Sequence, residues 1–146
     1  MYLTFTQVHH YLSWLVLLVL LYAVVKAWIG FTTNKSWSEN DSLAGLIMMI
    51  AVDVQVLIGI ILYGFLSPLT KAAFANFGAA MKNEMLRFYA VEHILVMVIA
   101  LIVLHIGRKK IKKAASDKSK HKLAALFYTA GLVLILSRIP WDKIIQ

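Results

Sequence analysis

Histidines and a glutamate lie inside two apolar stretches of this 146-residue chain. His9 and His10 come early in the first stretch, and Glu92 and His93 come early in the third. A polar side chain within hydrocarbon is costly unless a partner satisfies it. Each of these residues is therefore a candidate for a functional site, and imidazole is a common ligand of haem iron and of metal ions.

His10 and His93 are predicted to lie at the same depth in a membrane. His10 follows Tyr2, and His93 follows Met85, by eight residues, which is roughly 12 Å along a helix axis. Two level histidines on helices across a bundle can bind haem iron from opposite sides of the ring. Neighbouring helical residues point about 100° apart, so only one of His9 and His10 can bind a given iron. The equal depth of His10 and His93 favours His10 as the iron ligand, and His9 remains the alternative.

Carboxylates in the apolar stretches allow a different site. Asp53 lies near the middle of the second stretch, where a carboxylate must be protonated, paired or a ligand. It could accept a proton from a ligand histidine and so orient the ring. Alternatively, a site for zinc or another first-row metal could form from the carboxylates and histidines together. Its members would be His9 or His10, Asp53, Glu92 and His93.

Arg87 and Arg138 stand at the predicted outer ends of the third and fourth stretches. A haem in the outer half of the membrane would extend its propionates toward them, because guanidinium groups bind carboxylates through paired donors. Glu92 could instead pair with either arginine. Snorkelling to lipid headgroups would explain the same positions.

Two other histidines are predicted to lie outside the site. His105 follows His93 by twelve residues, or about 18 Å of helical rise. His121 falls within the basic loop between the third and fourth stretches. We expect both rings to be interfacial or solvated.

Four apolar stretches must position these residues, and they cover approximately 2–29, 43–66, 85–106 and 123–139. A helix needs roughly 20 apolar residues to cross the hydrocarbon. Hydrophobic residues make up 61% of the chain, whereas soluble domains have about 45–50%. The sequence therefore predicts one integral membrane domain over residues 1–146, an all-α transmembrane antiparallel four-helix bundle.

Basic residues cluster between the third and fourth stretches. Arg108–Lys122 contains eight of the 15 Lys and Arg residues and a single acid, Asp117. The positive-inside bias predicts that this loop is cytoplasmic, so that both termini are periplasmic. The loop at Ser67–Glu84 is then external, and its three- and four-residue apolar spacing predicts a short amphipathic helix. We expect a multi-pass protein of the bacterial inner membrane.

Composition also excludes several kinds of function. The chain has no cysteine, which rules out disulfides, thiolate metal sites, iron–sulfur clusters and c-type haem attachment. We find no glycine-rich phosphate loop and no nucleophile motif. Nucleic acid is not an expected partner, because the basic run directly follows a membrane span and lacks interleaved aromatic residues.

Four short motifs give the chain a resemblance to a known family. They are Val8–His10, Gln55–Gly59 with Leu62-Tyr63, Arg87 with Ala90–His93, and Leu136–Trp141. With these motifs the chain resembles the small bacterial four-span membrane proteins described as cytochrome b-like. The resemblance implies b-type haem and electron transfer in the membrane. The chain departs from that pattern near Asp53-Val54, where relatives commonly carry a histidine.

Three functions remain open from the sequence. We expect first a haem b protein that passes electrons within the bilayer, with a quinone or a redox complex as its partner. The second is a metal-ion-binding bundle, and the third is an accessory subunit of a larger membrane complex. No residue is predicted to be catalytic, and a homo-oligomer is possible.

Overall fold

The computed structural model describes residues 1–141, which contain α- and π-helices and no β-strand. Four helical segments of this part are long and apolar enough to cross a membrane, so the predicted four-helix membrane bundle is confirmed. The helices are α1 (Tyr2–Thr32), α2 (Glu39–Ile61, continued by a π-helical turn at Leu62–Leu66), α3 (Pro68–Ala75), α4 (Phe77–Ala80), α5 (Glu84–Arg87, continued by a π-helical turn at Phe88–Glu92), α6 (His93–Lys113) and α7 (Asp117–Ser137).

A capping box begins α2 and also ties it to α1. The Ser38 side chain accepts from the Asp41 backbone N–H, and the Asp41 side chain accepts from the Ser38 backbone N–H. Such reciprocal bonds satisfy two backbone donors that the first turn of a helix leaves unpaired. Lys26 of α1 also donates to Asp41, so this hairpin is closed by a charged pair.

The basic segment Arg108–Lys122 is mostly helical, whereas the sequence analysis expected a loop. Its first residues extend α6 to Lys113, its last residues belong to α7, and only residues 114–116 link them. Lysines at the end of α6 interact favourably with the helix dipole. Ser116 caps α7, and Asp117 adds a favourable charge to the first turn.

The predicted short helix between the second and third long segments is present as α3, followed by the single turns α4 and α5. Ser67 caps α3, and Pro68 occupies its first position, where no backbone donor is needed. Ala73 and Ala80 pack with Ala90 in a small cluster of their own. We call this end of the bundle the α3–α5 end.

The long helices surround one apolar core, with α1 between α2 and α7 and with α6 against α7. Among the four pairs of adjacent long helices, α6 and α7 have the most extensive contact and α2 and α6 the least extensive. Glycines allow the closest approaches. A Cβ at Gly107 would lie 2.4 Å from Phe127, and one at Gly131 would lie 2.5 Å from Leu104. Small residues at such crossings are typical of membrane bundles.

Candidate functional site

A cavity of about 480 Å³ lies between the long helices in the half of the bundle that carries the α3–α5 end. Its volume is in the range of small-molecule and cofactor sites, about 300–1,000 Å³. The wall is mostly apolar, and polar side chains enter it from α1, α2 and α6. These polar residues include Thr6, His9, His10, Ser13, Gln55, Tyr63 and His93.

Two imidazoles from opposite sides of the bundle meet at this cavity. The ring centroids of His9 and His93 are 6.5 Å apart, and the ring planes are nearly perpendicular at 77°. A metal–imidazole bond is about 2.0–2.1 Å long, so a metal between two ligating nitrogens needs about 4 Å from nitrogen to nitrogen. The separation of the two rings is compatible with one atom held between them.

A backbone carbonyl orients the His93 ring. His93 Nδ1 lies 2.7 Å from the carbonyl oxygen of Arg138, which can only accept, so Nδ1 carries the proton. Nε2 of the neutral ring then keeps its lone pair. Histidines that ligate metals are usually held in this way, with the second ring nitrogen donating to a carbonyl or carboxylate.

Residues of α2 contact His9, and two buried polar atoms at this contact have no hydrogen-bond partner among the described residues. Gln55 Nε2 donates to the His9 carbonyl oxygen at 2.9 Å. His9 Nδ1 and Gln55 Oε1 are buried and have no hydrogen-bond partner among the described residues. A Cβ at Gly59 would lie 3.2 Å from His9 Cε1, so the missing side chain makes room for the ring. Buried polar atoms are rarely left unpaired, and these two indicate a site that a ligand completes.

His10 lines the same cavity but makes a different ring contact. Its ring stands edge-on to that of Tyr11, with centroids 5.4 Å apart. The depth match predicted His10 as the counterpart of His93, whereas in the structure the His9 ring is beside His93. The two positions differ by about 1.5 Å in depth but by about 100° in direction, so rotation of α1 decides which ring faces its neighbour.

Glu92 bridges the two arginines that were considered as propionate anchors. Its Oε1 accepts from Arg87 Nε at 2.8 Å, and its Oε2 lies 3.7 Å from Arg138 Nε. The sequence allowed Glu92 to pair with either arginine, and in the structure it faces both. Arg87 also donates to the Met81 carbonyl at 3.1 Å. The three charged groups join α5, the start of α6 and the end of α7.

Asp53 does not join these residues. It is on the outer surface of the bundle, where its Oδ1 lies 2.8 Å from His105 Nε2. Among residues 1–141, no three His, Asp or Glu side chains are grouped as a metal site would require. The alternative metal set of His9 or His10, Asp53, Glu92 and His93 is therefore not assembled. Hydropathy predicts only the position of Asp53 along its span, whereas the direction of its side chain depends on the rotation of α2.

The prediction that His121 is solvated was wrong. Its side chain is 1% exposed, because α7 begins at Asp117 and includes this residue. The ring packs against Trp37, with centroids 4.8 Å apart, and a Cβ at Gly30 would overlap it. Neither ring nitrogen has a hydrogen-bond partner within the described part of the chain. His105 is exposed and is paired with Asp53.

The sequence analysis missed the two π-helical turns that frame the cavity. Tyr63, in the first turn, donates from its hydroxyl to the carbonyl of Ala90 in the second, at 2.9 Å. Turns of this kind are frequent at functional sites because they redirect side chains and free backbone groups. Apolar periodicity does not distinguish a π turn from an α turn, so the sequence carried no signal for them.

Comparisons with protein-family models, with curated proteins and with solved structures give no match to this chain. Its function is therefore inferred from the residues of the cavity and from their chemistry.

Proposed function

We propose that this chain binds one b-type haem in the cavity and passes electrons within the bilayer, and that His93 and His9 would hold the haem iron. His10 is the alternative to His9 on the same helix. The observation that carries the proposal is the pair of facing imidazoles, whose ring centroids are 6.5 Å apart at a cavity of about 480 Å³. Bis-imidazole ligation from facing helices is a common way for a helical bundle to hold haem.

The surroundings of both rings support this assignment. The Arg138 carbonyl fixes His93 with Nδ1 as the donor, which leaves Nε2 available to a metal. His9 Nδ1 and Gln55 Oε1 are buried without hydrogen-bond partners among the described residues, which is consistent with a site that a bound group completes.

Other residues would control the properties of the bound group. Haem supplies reversible one-electron transfer at its iron. The apolar wall excludes water, and such burial tunes the potential of a haem. In both Arg87 and Arg138, Nε faces Glu92 and Nη1 donates to a backbone carbonyl, that of Met81 or Ser137. Nη2 of each guanidinium group would then be the donor to a haem propionate.

The orientation in the membrane is part of the same proposal. The basic ends of α6 and α7 lie in the cytoplasm of a bacterial cell, and both termini lie in the periplasm. The cavity is then near the outer leaflet, under α3–α5. A quinone in the bilayer or a redox complex would exchange electrons with the haem at that end.

An optical spectrum of the detergent-purified protein tests the proposal, recorded oxidised and after dithionite, with elemental analysis of the same sample. We expect a Soret band that shifts on reduction and about one iron per chain. His93→Ala and His9→Ala should lose the haem, because each removes one of the two imidazoles that would hold the iron. His10→Ala and His105→Ala are the matched controls and should keep it.

Each other outcome has a definite meaning. Full haem in His93→Ala would refute the ligand assignment. Loss in His10→Ala with retention in His9→Ala would exchange the roles of these neighbours. A colourless protein with stoichiometric metal would favour a metal-ion site, and a protein with neither would favour an accessory subunit.

A further inference from the structure

A histidine of α7 is buried at the end of the bundle opposite the cavity that His9 and His93 line. The His121 side chain is 1% exposed, and neither of its ring nitrogens has a hydrogen-bond partner among residues 1–141. An imidazole ring carries a proton on at least one nitrogen, whether it is neutral or charged, so it always has a donor to satisfy. Buried donors in native structures are usually met by protein or by water.

The closest neighbours of the ring do not supply this partner. The Trp37 ring packs against His121, but its indole N–H donates to the Ser42 hydroxyl at 2.8 Å. On another side the ring contacts α1 at Gly30, where a Cβ would lie 2.2 Å from Cε1 and Nδ1. The partner of a ring nitrogen must therefore come from the remaining space around the ring.

A small cavity adjoins His121, and we call it the His121 cavity. Alanine side chains of α1, α2 and α7 leave this space, and the polar residues on its wall include Lys26, Asp41 and His121. The cavity offers about 10 Å³ to the centre of a water molecule, and one molecule needs roughly 10–15 Å³ on that measure. It has room for a single water and for nothing larger.

The charged pair on the wall can make further hydrogen bonds. Asp41 accepts three, from Lys26 Nζ and from the backbone N–H and the hydroxyl of Ser38. A carboxylate has about four acceptor positions, so one remains. Lys26 donates one proton of its ammonium group to Asp41 and keeps further donors. Across from His121, the pair therefore offers both a donor and an acceptor to a water, which typically makes about three hydrogen bonds inside a protein.

We propose that the His121 cavity binds one water molecule, which hydrogen-bonds to the His121 ring and to the Lys26–Asp41 pair. The water links α7 to α1 and to the capping box that begins α2. A metal ion does not suit the site, because no three His, Asp or Glu side chains are grouped within the described part of the chain. The haem proposal uses none of these residues.

Transfer of magnetisation from water to the His121 ring tests the site by NMR. The probe is water itself, and the full chain is labelled with ¹⁵N-histidine in nanodiscs of deuterated lipid. The signals of His121 are assigned by their loss in His121→Phe. We expect clear transfer to this ring even though its side chain is 1% exposed. A ring that receives no magnetisation from water would overturn the proposal.

Two neighbouring alanines of α7 provide a variant and its matched control. Ala124 lines the cavity and Ala125 does not, although these residues are 0% and 1% exposed. Ala124→Val fills the cavity with methyl groups, so it should lower the transfer to His121 about tenfold. Ala125→Val adds the same volume elsewhere and should retain the transfer. Equal transfer in the two variants would also overturn the proposal, since water would then reach the ring by another route.

Thermal unfolding of His121→Phe is a second measurement. Phenylalanine keeps a flat ring of similar size and removes both nitrogens. We expect Tm to fall by about 4 °C, because the variant loses the hydrogen bonds through water. If the nitrogens were unpaired in the native protein, the variant would lose a buried polar group without a partner and its Tm would rise. Such a rise would contradict the proposal. Haem content enters neither measurement, so both are independent of the proposed electron-transfer function.

Discussion

The contacts of single atoms decide how the two cavity histidines are presented. His93 is oriented by a carbonyl from the end of α7, and His9 is confined by Gly59 and Gln55 of α2. Partners of this kind matter nearly as much as the ligands, because a ring that rotates away no longer points at the metal. The contact between Gly59 and the His9 ring is the easiest to test, because Gly59 has only a hydrogen atom on that side.

Gly59→Ala is therefore expected to lower haem retention about tenfold, because the new methyl group displaces the His9 ring. The Cβ would lie 3.2 Å from His9 Cε1, which is closer than an ordinary contact. Haem occupancy from the Soret absorbance per protein is the measurement. Gly64→Ala is the control, since a Cβ there meets nothing within 4 Å among the described residues. Equal occupancy in the two variants would mean that His9 does not depend on this contact.

At the scale of the helices, packing is closest where glycine meets a large side chain. Gly30 of α1 faces the His121 ring of α7, and Gly45 of α2 faces Arg108 and Tyr128. Arg108 also donates to the Tyr128 hydroxyl at 3.4 Å. These contacts hold α1, α2, α6 and α7 together at the end opposite the cavity, and so fix the rotation with which each helix presents its residues at the site.

Gly30→Ala should destabilise the bundle by about 1–3 kcal/mol, the usual cost of overpacking. Its Cβ would lie 2.2 Å from two atoms of the His121 ring. Thermal unfolding in detergent measures the change in Tm. Adding His121→Ala to this variant should recover part of the loss, because it removes the ring that the methyl group meets. Additive losses in the double variant would contradict a direct contact between these two positions.

At the scale of the whole molecule, charge is concentrated at one end. The basic ends of α6 and α7 lie opposite the α3–α5 end, which carries Glu92 with its two arginines. Such an asymmetry orients a membrane protein, since loops rich in lysine and arginine stay in the cytoplasm. Under the proposed function, this asymmetry sets the side of the membrane from which a redox partner would reach the cavity.

Thiol labelling tests this orientation. In intact spheroplasts, a membrane-impermeant maleimide should label Gly78→Cys, in α4, because the α3–α5 end faces outward in the proposed orientation. Ala115→Cys, in the link between α6 and α7, should be labelled only after permeabilisation. Both positions are exposed. The reverse pattern would invert the proposed orientation and place the cavity in the inner leaflet.

The helices and the pair of Asp53 with His105 show which features of the structure can be predicted from the sequence. The bounds of the helical spans were predicted to within a few residues, except where the basic segment Arg108–Lys122 extends α6 and α7. Asp53 was expected to be paired, protonated or a ligand, and it is paired. Its partner, His105, was not predicted, because the direction of a side chain around a helix axis is set by neighbouring helices.

By itself, the sequence determined that this protein is a four-helix membrane bundle with polar residues at given positions along its spans. Hydropathy and helical rise depend only on composition and position along the chain, so both can be read before folding. Only the tertiary structure decided that His9 faces His93, that Asp53 points outward and that His121 is buried. A change of one position turns a side chain by about 100°, and the packing of all four helices together sets that angle.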